Sequence, residues 1–424
     1  MQIIMDNRVM KILMIAPYVT IESRKEFTRN KTGFGYMVLD IARSVSRLEQ
    51  VDLLATDTRG VSFEYDGVHL LKRSFSNYLF SIMCCLSPMV VFNLMRRYKM
   101  QRGTCFRLWY YWLMTGYLRR LLKKRKYDIV HIHGGGFSTE LWMKVCKQCN
   151  QKYVVTLHGL NSFSDTVQLE PAGKQYERDF LKRVTEEEFP ITVISTGMKR
   201  IIEKTYGVYD SKNITVVCNS FSFADTSGGG NFEIIKKLYG IKEDSKLIVC
   251  VGNIGRRKNQ GQLIAAFNYL PQELAQNSYI LFLGGNQSED YTIERLSHES
   301  KWKDHFISCG VIPKDEVANY YQQCDAVALM SLSEGFGLSL IEGMHFGKPC
   351  LSFMDVDAYD DIYHPNAMIG VGEHTDEAVA KGLKQLLTHK WDSDSIKKYS
   401  KKFESQEMAN HYINVYKREI SHSC

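Results

Sequence analysis

Two glutamates, a run of cations and a histidine are the residues whose types and spacing could do chemistry. Glu334 and Glu342, with seven residues between them, stand inside the stretch 331–349, SLSEGFGLSLIEGMHFGKP. Gly335 and Gly337 permit a tight turn with close backbone approach, and the spacing of Leu338, Leu340, Ile341 and Met344 predicts a helix starting there. The N–H groups around Phe336, Gly337, Leu338 and Ser339 then face outward at a helix N-terminus, where the dipole favours phosphate. Glu342 lies about one turn into the helix. Helical side chains lean toward the N-terminus, so its carboxylate reaches a group attached to that phosphate, and a ribose diol suits it. Glu334, in the loop, is placed to accept hydrogen bonds from hydroxyls beyond the phosphates. A second anion-seeking group is Arg256-Arg257-Lys258, where arginine can grip a diphosphate in two-pronged fashion and lysine acts as a point charge. Each piece alone has a blander reading: most Gly-x-Gly turns are only turns, and most exposed charges are only solvated.

The elements that must position these residues follow one rule, a short apolar strand followed by a glycine-containing loop and a helix. Residues 11–16 (KILMIA) form such a strand, Thr32-Gly33-Phe34-Gly35 the loop, and residues 37–45 a helix. Residues 127–133 form another strand, followed by three glycines, a helix over 138–149 and a strand over 153–157 that ends at His158. Further strands are predicted at 51–56, 68–71, 191–195 and 214–217, then at 247–251, 279–283 and 326–330 in the second half. Strand and helix alternating through short loops means α/β with parallel sheets, and in open sheets ligands bind beyond the carboxyl ends of the strands. His158 is therefore placed to act, whereas His131 and His133, inside a strand, are read as structural.

Taken together, the Glu334 and Glu342 pair in S-x-x-E-G-F-G with G-K-P after the helix strongly resembles the donor-site signature of retaining glycosyltransferases of the family-4 type. D-x-V-H-x-H at 128–133 and T-x-H-G at 156–159 resemble the same family's N-terminal domain. The resemblance implies the GT-B fold: two Rossmann-like domains with parallel sheets facing each other across a cleft. It implies a donor nucleoside diphosphate sugar, UDP-linked or alternatively GDP-linked, and no cofactor or bound metal. It assigns His158, Glu334 and Lys258 to catalysis. Gly33, Phe34, Gly35, Asn219, Arg257, Lys258, Gly335, Phe336, Gly337, Leu338 and Glu342 are assigned to donor binding. There are departures. Asn253 stands where the family carries a first basic residue, so Arg257 or Arg256 must compensate. Cys218 and Ser220 flank Asn219 in place of Pro and Gly, and residues 357–362 match the family's Gly-Gly-x-x-Glu loop poorly. Asp355 and Asp357 are read as loop residues, not as a metal-binding pair.

A chain of 424 residues suits two cores, and its 44% hydrophobic and 24% charged residues are ordinary for globular protein. The expected domains are 1–218, on the acceptor side, and 219–404, binding the nucleotide sugar, with a helix in 405–424 returning to the first. The Ser/Gly-rich residues 224–231 read as the linker. Cys146 and Cys149 form the lone C-x-x-C, without the second pair that a metal site needs, so reduced thiols are expected. Asp6 and Arg8 interrupt the N-terminal segment and no apolar signal core follows, so the chain is expected to stay in the cytoplasm.

Residues 72–126 break the pattern. They hold thirteen Lys or Arg and no Asp or Glu, and because the whole chain is +7, the remainder sums to −6. The apolar run 79–95 is short for a spanning helix and is interrupted by Ser87-Pro88. An interfacial segment lying on an anionic membrane at its inner face is expected, with the aromatic cluster Trp109 to Trp112 inserting, and nucleic acid is not expected as a partner. The functional expectation is transfer of a sugar to a glycan acceptor, lipid-linked, in cell-surface polysaccharide synthesis. The alternatives are a sugar-nucleotide epimerase of the same fold and a non-catalytic partner subunit.

Overall fold

The structure is a computed structural model and describes residues 8–28, 32–56, 62–71, 81–164, 169–221, 223 and 234–421. The predicted linker, 224–231, and the cations Lys72 and Arg73 lie outside the described residues. The chain divides into two compact units. One comprises 1–194, 198–217 and 405–424, and the other 195–197 and 218–404.

The first unit is built on an eight-stranded sheet. Its strands are β1 (Lys11–Ala16), β2 (Gln50–Ala55), β3 (Phe63–Tyr65), β4 (Val68–Leu70), β5 (Ile129–His133), β6 (Tyr153–Leu157), β7 (Ile191–Val193) and β8 (Ile214–Val216), in the order β3-β4-β2-β1-β5-β6-β7-β8. All pairs are parallel except the β3/β4 hairpin. Strands covered by helices on both faces read as continuous apolar runs, and β1 is buried from Ile12 to Ala16. From β1 the chain winds one way through β2 and the other way through β5, so the loops after β1 and β5 flank a topological switch point. Such points are where open sheets hold ligands. The helix Gly33–Ser46 follows β1, and the closing helix Ser405–Ser421 packs against it.

The second unit repeats the plan with β9 (Lys246–Val251), β10 (Ser278–Leu283), β11 (Phe306–Gly310), β12 (Ala326–Leu329), β13 (Cys350–Phe353) and β14 (Met368–Val371). The order is β11-β10-β9-β12-β13-β14, entirely parallel, with its switch point between β9 and β12. Leu263, Phe267, Phe282, Phe353 and Leu383 are among the side chains that fill its core.

Within 72–126 the structure corrects one expectation. The aromatic cluster is packed, not free to insert: Trp112 donates its indole N–H to the Leu86 carbonyl at 2.7 Å, Trp109 lies edge-on between Phe92 and Trp112, and Tyr111 is buried. Two of the cations find counter-charges elsewhere in the unit, Arg97 on Asp179 at 2.8 Å and Arg125 on Asp52 at 2.6 Å. The apolar run is split into a short turn, Ile82–Cys84, and a helix, Met89–Tyr98, either side of the predicted break. A helix over Arg102–Lys124 follows, and Gly116 within it meets the Ser81 carbonyl so closely that a Cβ would clash at 2.2 Å. Among the described residues no helix is long and apolar enough to cross a membrane.

Candidate active site

In the second unit the loops after β9 and β12, the two strands at the switch point, bring Lys258 and Glu334 into an ion pair. Arg257 reaches the same Glu334 Oε2 at 3.4 Å and donates to the Ser333 carbonyl at 2.8 Å, while the Ser331 hydroxyl lies 3.4 Å from that oxygen. Backbone conformation makes room for this. Gly252, with φ +140°, has no side chain where the Lys258 Cε passes, 3.2 Å from where a Cβ would sit. Burial pushes the Glu334 carboxyl up. The charges of Lys258 and Arg257 and the hydrogen bonds from Lys258 and Ser331 outweigh it and hold the group ionised, below its ordinary pKa. Two cations around one carboxylate leave the cluster at +1, with donors on Lys258 and Arg257 to spare. Arg256 takes no part in it. That side chain is exposed and lies over the Tyr291 ring at 5.9 Å, so of the two arginines Arg257 is the one beside the carboxylate.

The helix after β12 spans Leu338–His345, with Gly337 as its N-cap in the left-handed conformation, φ +86°. Its first N–H groups have no partner within the helix, the usual condition of an N-terminus. Phe336 is buried against Phe403, so only its backbone can meet a ligand. Glu342, one turn in, accepts a hydrogen bond from the Tyr321 hydroxyl at 2.8 Å. Tyr321 is fully buried, and burial followed by the Glu342 charge raises its pKa well above the ordinary tyrosine value. Asn219 is buried, and its Oδ1 has no hydrogen-bond partner. Asp357 lies in the loop after β13, and its N–H donates to the Glu334 carbonyl at 3.3 Å. Burial, then Glu334 and Asp355, push its carboxyl up to about 6.

In the first unit, Phe34 and His158 meet edge-on at 5.0 Å, and Tyr18 packs on Phe34 at 5.2 Å. Gly35 is required here, since a Cβ would lie 2.3 Å from the Thr20 hydroxyl, whereas Gly33 faces open space. Thr32 caps the helix Gly33–Ser46, its Oγ1 accepting from the Gly35 N–H at 3.4 Å. His158 Nε2 contacts His133 Nδ1 at 3.2 Å, and the His131 ring packs on His133 with centroids 4.0 Å apart. His131 is held by Tyr416 of the closing helix at 2.7 Å and by Thr156 at 2.5 Å. Burial keeps all three rings neutral, pushing His158 down to about 4, His131 to about 3 and His133 well below the usual histidine value.

The contacts of Ser331, Tyr321, Asp357 and His133 with the predicted residues were not read from the sequence. Ser331 stands with Glu334 in the S-x-x-E signature, whereas the pairings of Tyr321, Asp357 and His133 depend on loops, helices or strands brought together by the fold. The C-x-x-C pair is unbridged, with Cys146 in the core. Among the described residues no group of three or more His, Cys, Asp or Glu is placed to hold a metal ion.

Family comparison bears directly on these two units. The Glycosyltransferase Family 4 model matches residues 32–222, and the Glycosyl transferases group 1 model matches residues 231–403. This chain belongs to the family-4, group 1 glycosyltransferases. An uncharacterized glycosyltransferase of Methanocaldococcus jannaschii is 22% identical to this glycosyltransferase over 310 residues, 69% of this chain and 75% of the other. The alpha-monoglucosyldiacylglycerol synthase of Acholeplasma laidlawii is 22% identical over 58% of this chain and 62% of its own. Among solved structures, Anabaena HepE in complex with UDP superposes with a TM-score of 0.64 at 13% identity, covering 96% of this chain and all of the other. The fold of this glycosyltransferase is GT-B, its two parallel sheets each forming a Rossmann-like unit.

Proposed function

We propose that this glycosyltransferase transfers a sugar with retention of anomeric configuration, from a nucleoside diphosphate donor to a lipid-linked glycan acceptor in cell-surface polysaccharide synthesis. The observation that carries the reading is the Lys258, Arg257 and Glu334 cluster at the switch point of the second sheet. When the donor's glycosidic bond breaks, negative charge develops on the leaving diphosphate. Lys258, Arg257 and the N-terminus of the helix Leu338–His345 are fixed beforehand where they can take up that charge, which is why no metal is invoked. Glu334 holds the two cations in place and accepts hydrogen bonds from sugar hydroxyls. Glu342, oriented by Tyr321, accepts from the ribose diol. Gly335 to Leu338 offer backbone N–H groups, and Asn219 has an unpaired amide oxygen to contribute. His158, with Phe34 and its flanking glycines, is assigned to recognition of the donor sugar. A UDP-sugar is the favoured donor, in keeping with the UDP bound by HepE, and a GDP-sugar is the alternative.

The test is a panel of sugar nucleotides offered to purified protein, with released nucleotide measured with and without lipid extract. Release that survives excess EDTA and rises with the extract, giving a product of retained configuration by NMR, is expected. Strict dependence on manganese or magnesium, or an inverted product, overturns the reading. Conversion of the sugar nucleotide without an acceptor points to an epimerase.

The acceptor side of the proposal rests on the surface of residues 81–126, on a membrane's inner face. With the tryptophans packed, the apolar side chains left outside are Met83, 92% exposed, and Phe106, 79% exposed, together with Ile82, Met89 and Phe92. Phe106 lies one turn before Trp109, on the side of the helix that meets Phe92. Arg96, Lys99, Arg102 and Arg107 are exposed nearby in the chain. Each cation beside an anionic lipid surface contributes about 1 kcal/mol. The protein is expected to sediment with anionic vesicles, less so at raised salt, and little with neutral ones. Protein remaining in the supernatant at low salt would remove the membrane from the proposal.

A further inference from the structure

Asp357 stands beside the cluster of Lys258, Arg257 and Glu334 and takes no share of its cations. It opens the stretch 357–362 that departs from the family's Gly-Gly-x-x-Glu loop, and it follows β13, the strand next to β12. Its backbone is pinned on both sides. The N–H donates to the Glu334 carbonyl at 3.3 Å, and the carbonyl accepts from the Gly197 N–H at 3.0 Å. Glycine is needed at 197, since a Cβ there would lie 2.0 Å from the Asp357 carbonyl oxygen. Val356 and Ala358 on either side are buried, whereas Asp357 stays partly exposed, so its side chain turns away from the core that holds its neighbours.

The charged groups around this carboxyl are engaged elsewhere. Glu334, in the loop after β12, acts on it as a like charge and is itself held by Lys258 and Arg257. Asp355, on the same loop as Asp357, is paired with His374 of the loop after β14 at 2.9 Å. Asp361 accepts from the Thr196 N–H at 2.7 Å and from the Thr196 hydroxyl, and Asp360 is exposed. Lys402 donates to the Asp361 carbonyl and to the Tyr399 hydroxyl. Residues 195–197, against which the turn packs, carry no charge. Among the described residues, no cation and no hydrogen-bond donor meets the Asp357 carboxyl. Burial and the two neighbouring acids raise it to about 6, so near neutral pH it is mostly an ionised group without a counter-ion.

A carboxylate left unpaired beside a substrate accepts hydrogen bonds from hydroxyls and repels a second anion, and specificity is often built from such a repulsive element. We propose that Asp357 sets the class of donor, accepting uncharged sugars and excluding those that carry a carboxylate. This rests on the donor site at Glu334 proposed above. In that site Lys258 and Arg257 are divided between Glu334 and the donor diphosphate, so neither remains to shield an acidic sugar. A hydroxymethyl group can donate to Asp357, whereas a uronate in its place brings a second negative charge to a group already lacking a partner.

The experiment is calorimetric titration of the full chain with UDP, UDP-glucose and UDP-glucuronate, whose sugars differ only by a carboxylate in place of a hydroxymethyl group. If guanine is the base that binds, GDP, GDP-mannose and GDP-mannuronate replace them. Near neutral pH the uronate should bind about tenfold more weakly than the neutral sugar, the scale of one like charge in a site of intermediate dielectric. Asp357→Asn keeps the shape and removes the charge, so it should leave the free nucleotide unchanged and bring the two sugars level. In the wild type the discrimination should fade below about pH 6, where Asp357 takes up a proton while the uronate stays ionised. That pH series decides the matter even where the variant fails to fold. Equal binding of the two sugars by the wild type overturns the inference, as does discrimination that persists in Asp357→Asn or is unchanged in acid. Failure of every nucleotide and nucleotide sugar to bind would overturn the donor site itself, and the inference with it.

Discussion

The two units place opposite chemistry beside the same topological feature. At the switch point between β9 and β12, Lys258, Arg257 and Glu334 keep one another ionised, and the carboxyl stays below its ordinary pKa despite burial. Near the switch point between β1 and β5, three histidines share no counter-charge, and burial, joined at His131 and His133 by repulsion from the neighbouring rings, keeps them neutral. The difference teaches that the sheet supplies a location, and that the local balance of charge against desolvation decides whether the location holds ions or neutral donors. A leaving diphosphate calls for the first, and recognition of uncharged sugar hydroxyls is served by the second.

The largest effect should come from breaking the charged side. Lys258→Ala is expected to lower turnover by roughly 10²-fold or more, the loss seen when one electrostatic stabiliser is removed. Unchanged turnover at saturating donor would mean that the ion pair is only structural. Glu334 would then lose its assigned function along with its partner.

Acid should separate the two units next. His131 is protonated in the unfolded chain below about 6.5 but not in the folded one until about 3. Stability is therefore independent of this group above pH 6.5 and falls by about 1.4 kcal/mol per pH unit as pH drops through that window. His158 acts in the same direction down to about 4. In the second unit Asp357, raised to about 6, has the opposite sign: it is protonated in the fold before the unfolded chain, so its contribution improves as pH falls from about 6 toward 3.8. Glu334, depressed, stabilises the fold above its unfolded value near 4.5 and loses that contribution only below it. Hydrogen exchange on the full chain between pH 6.5 and 4.5 should thus show strands β5 and β6 losing protection before β9 and β12. Simultaneous loss would contradict the contrast.

The smallest effect probes the ribose contact. Tyr321→Phe removes the hydroxyl that holds Glu342 and should raise the donor KM about fivefold with little change in kcat, as expected for losing one buried hydrogen bond that acts on binding. Glu342→Gln should move KM in the same direction and further. A defect confined to kcat at saturating donor would separate Glu342 from the ribose.

The sequence by itself determined the α/β class, the glycine turn and helix around Gly337, and the two glutamates and cations that carry the family signature. Apolar periodicity, glycine conformation and helix direction are local properties, legible over a dozen residues. Only the tertiary structure decided that Arg257 and not Arg256 joins Lys258 at Glu334, because side chains three in a row leave a loop in different directions. It alone paired Tyr321 with Glu342, on two helices brought together by the fold, and His133 with His158, at the ends of strands whose adjacency follows strand order, which no local pattern encodes. Composition also misjudged Trp109 and Trp112. Aromatic residues are read equally well as inserting or packing until the helix Met89–Tyr98 and the Leu86 carbonyl are found covering them. What a residue is follows from the chain, and what it faces follows from which strands became neighbours.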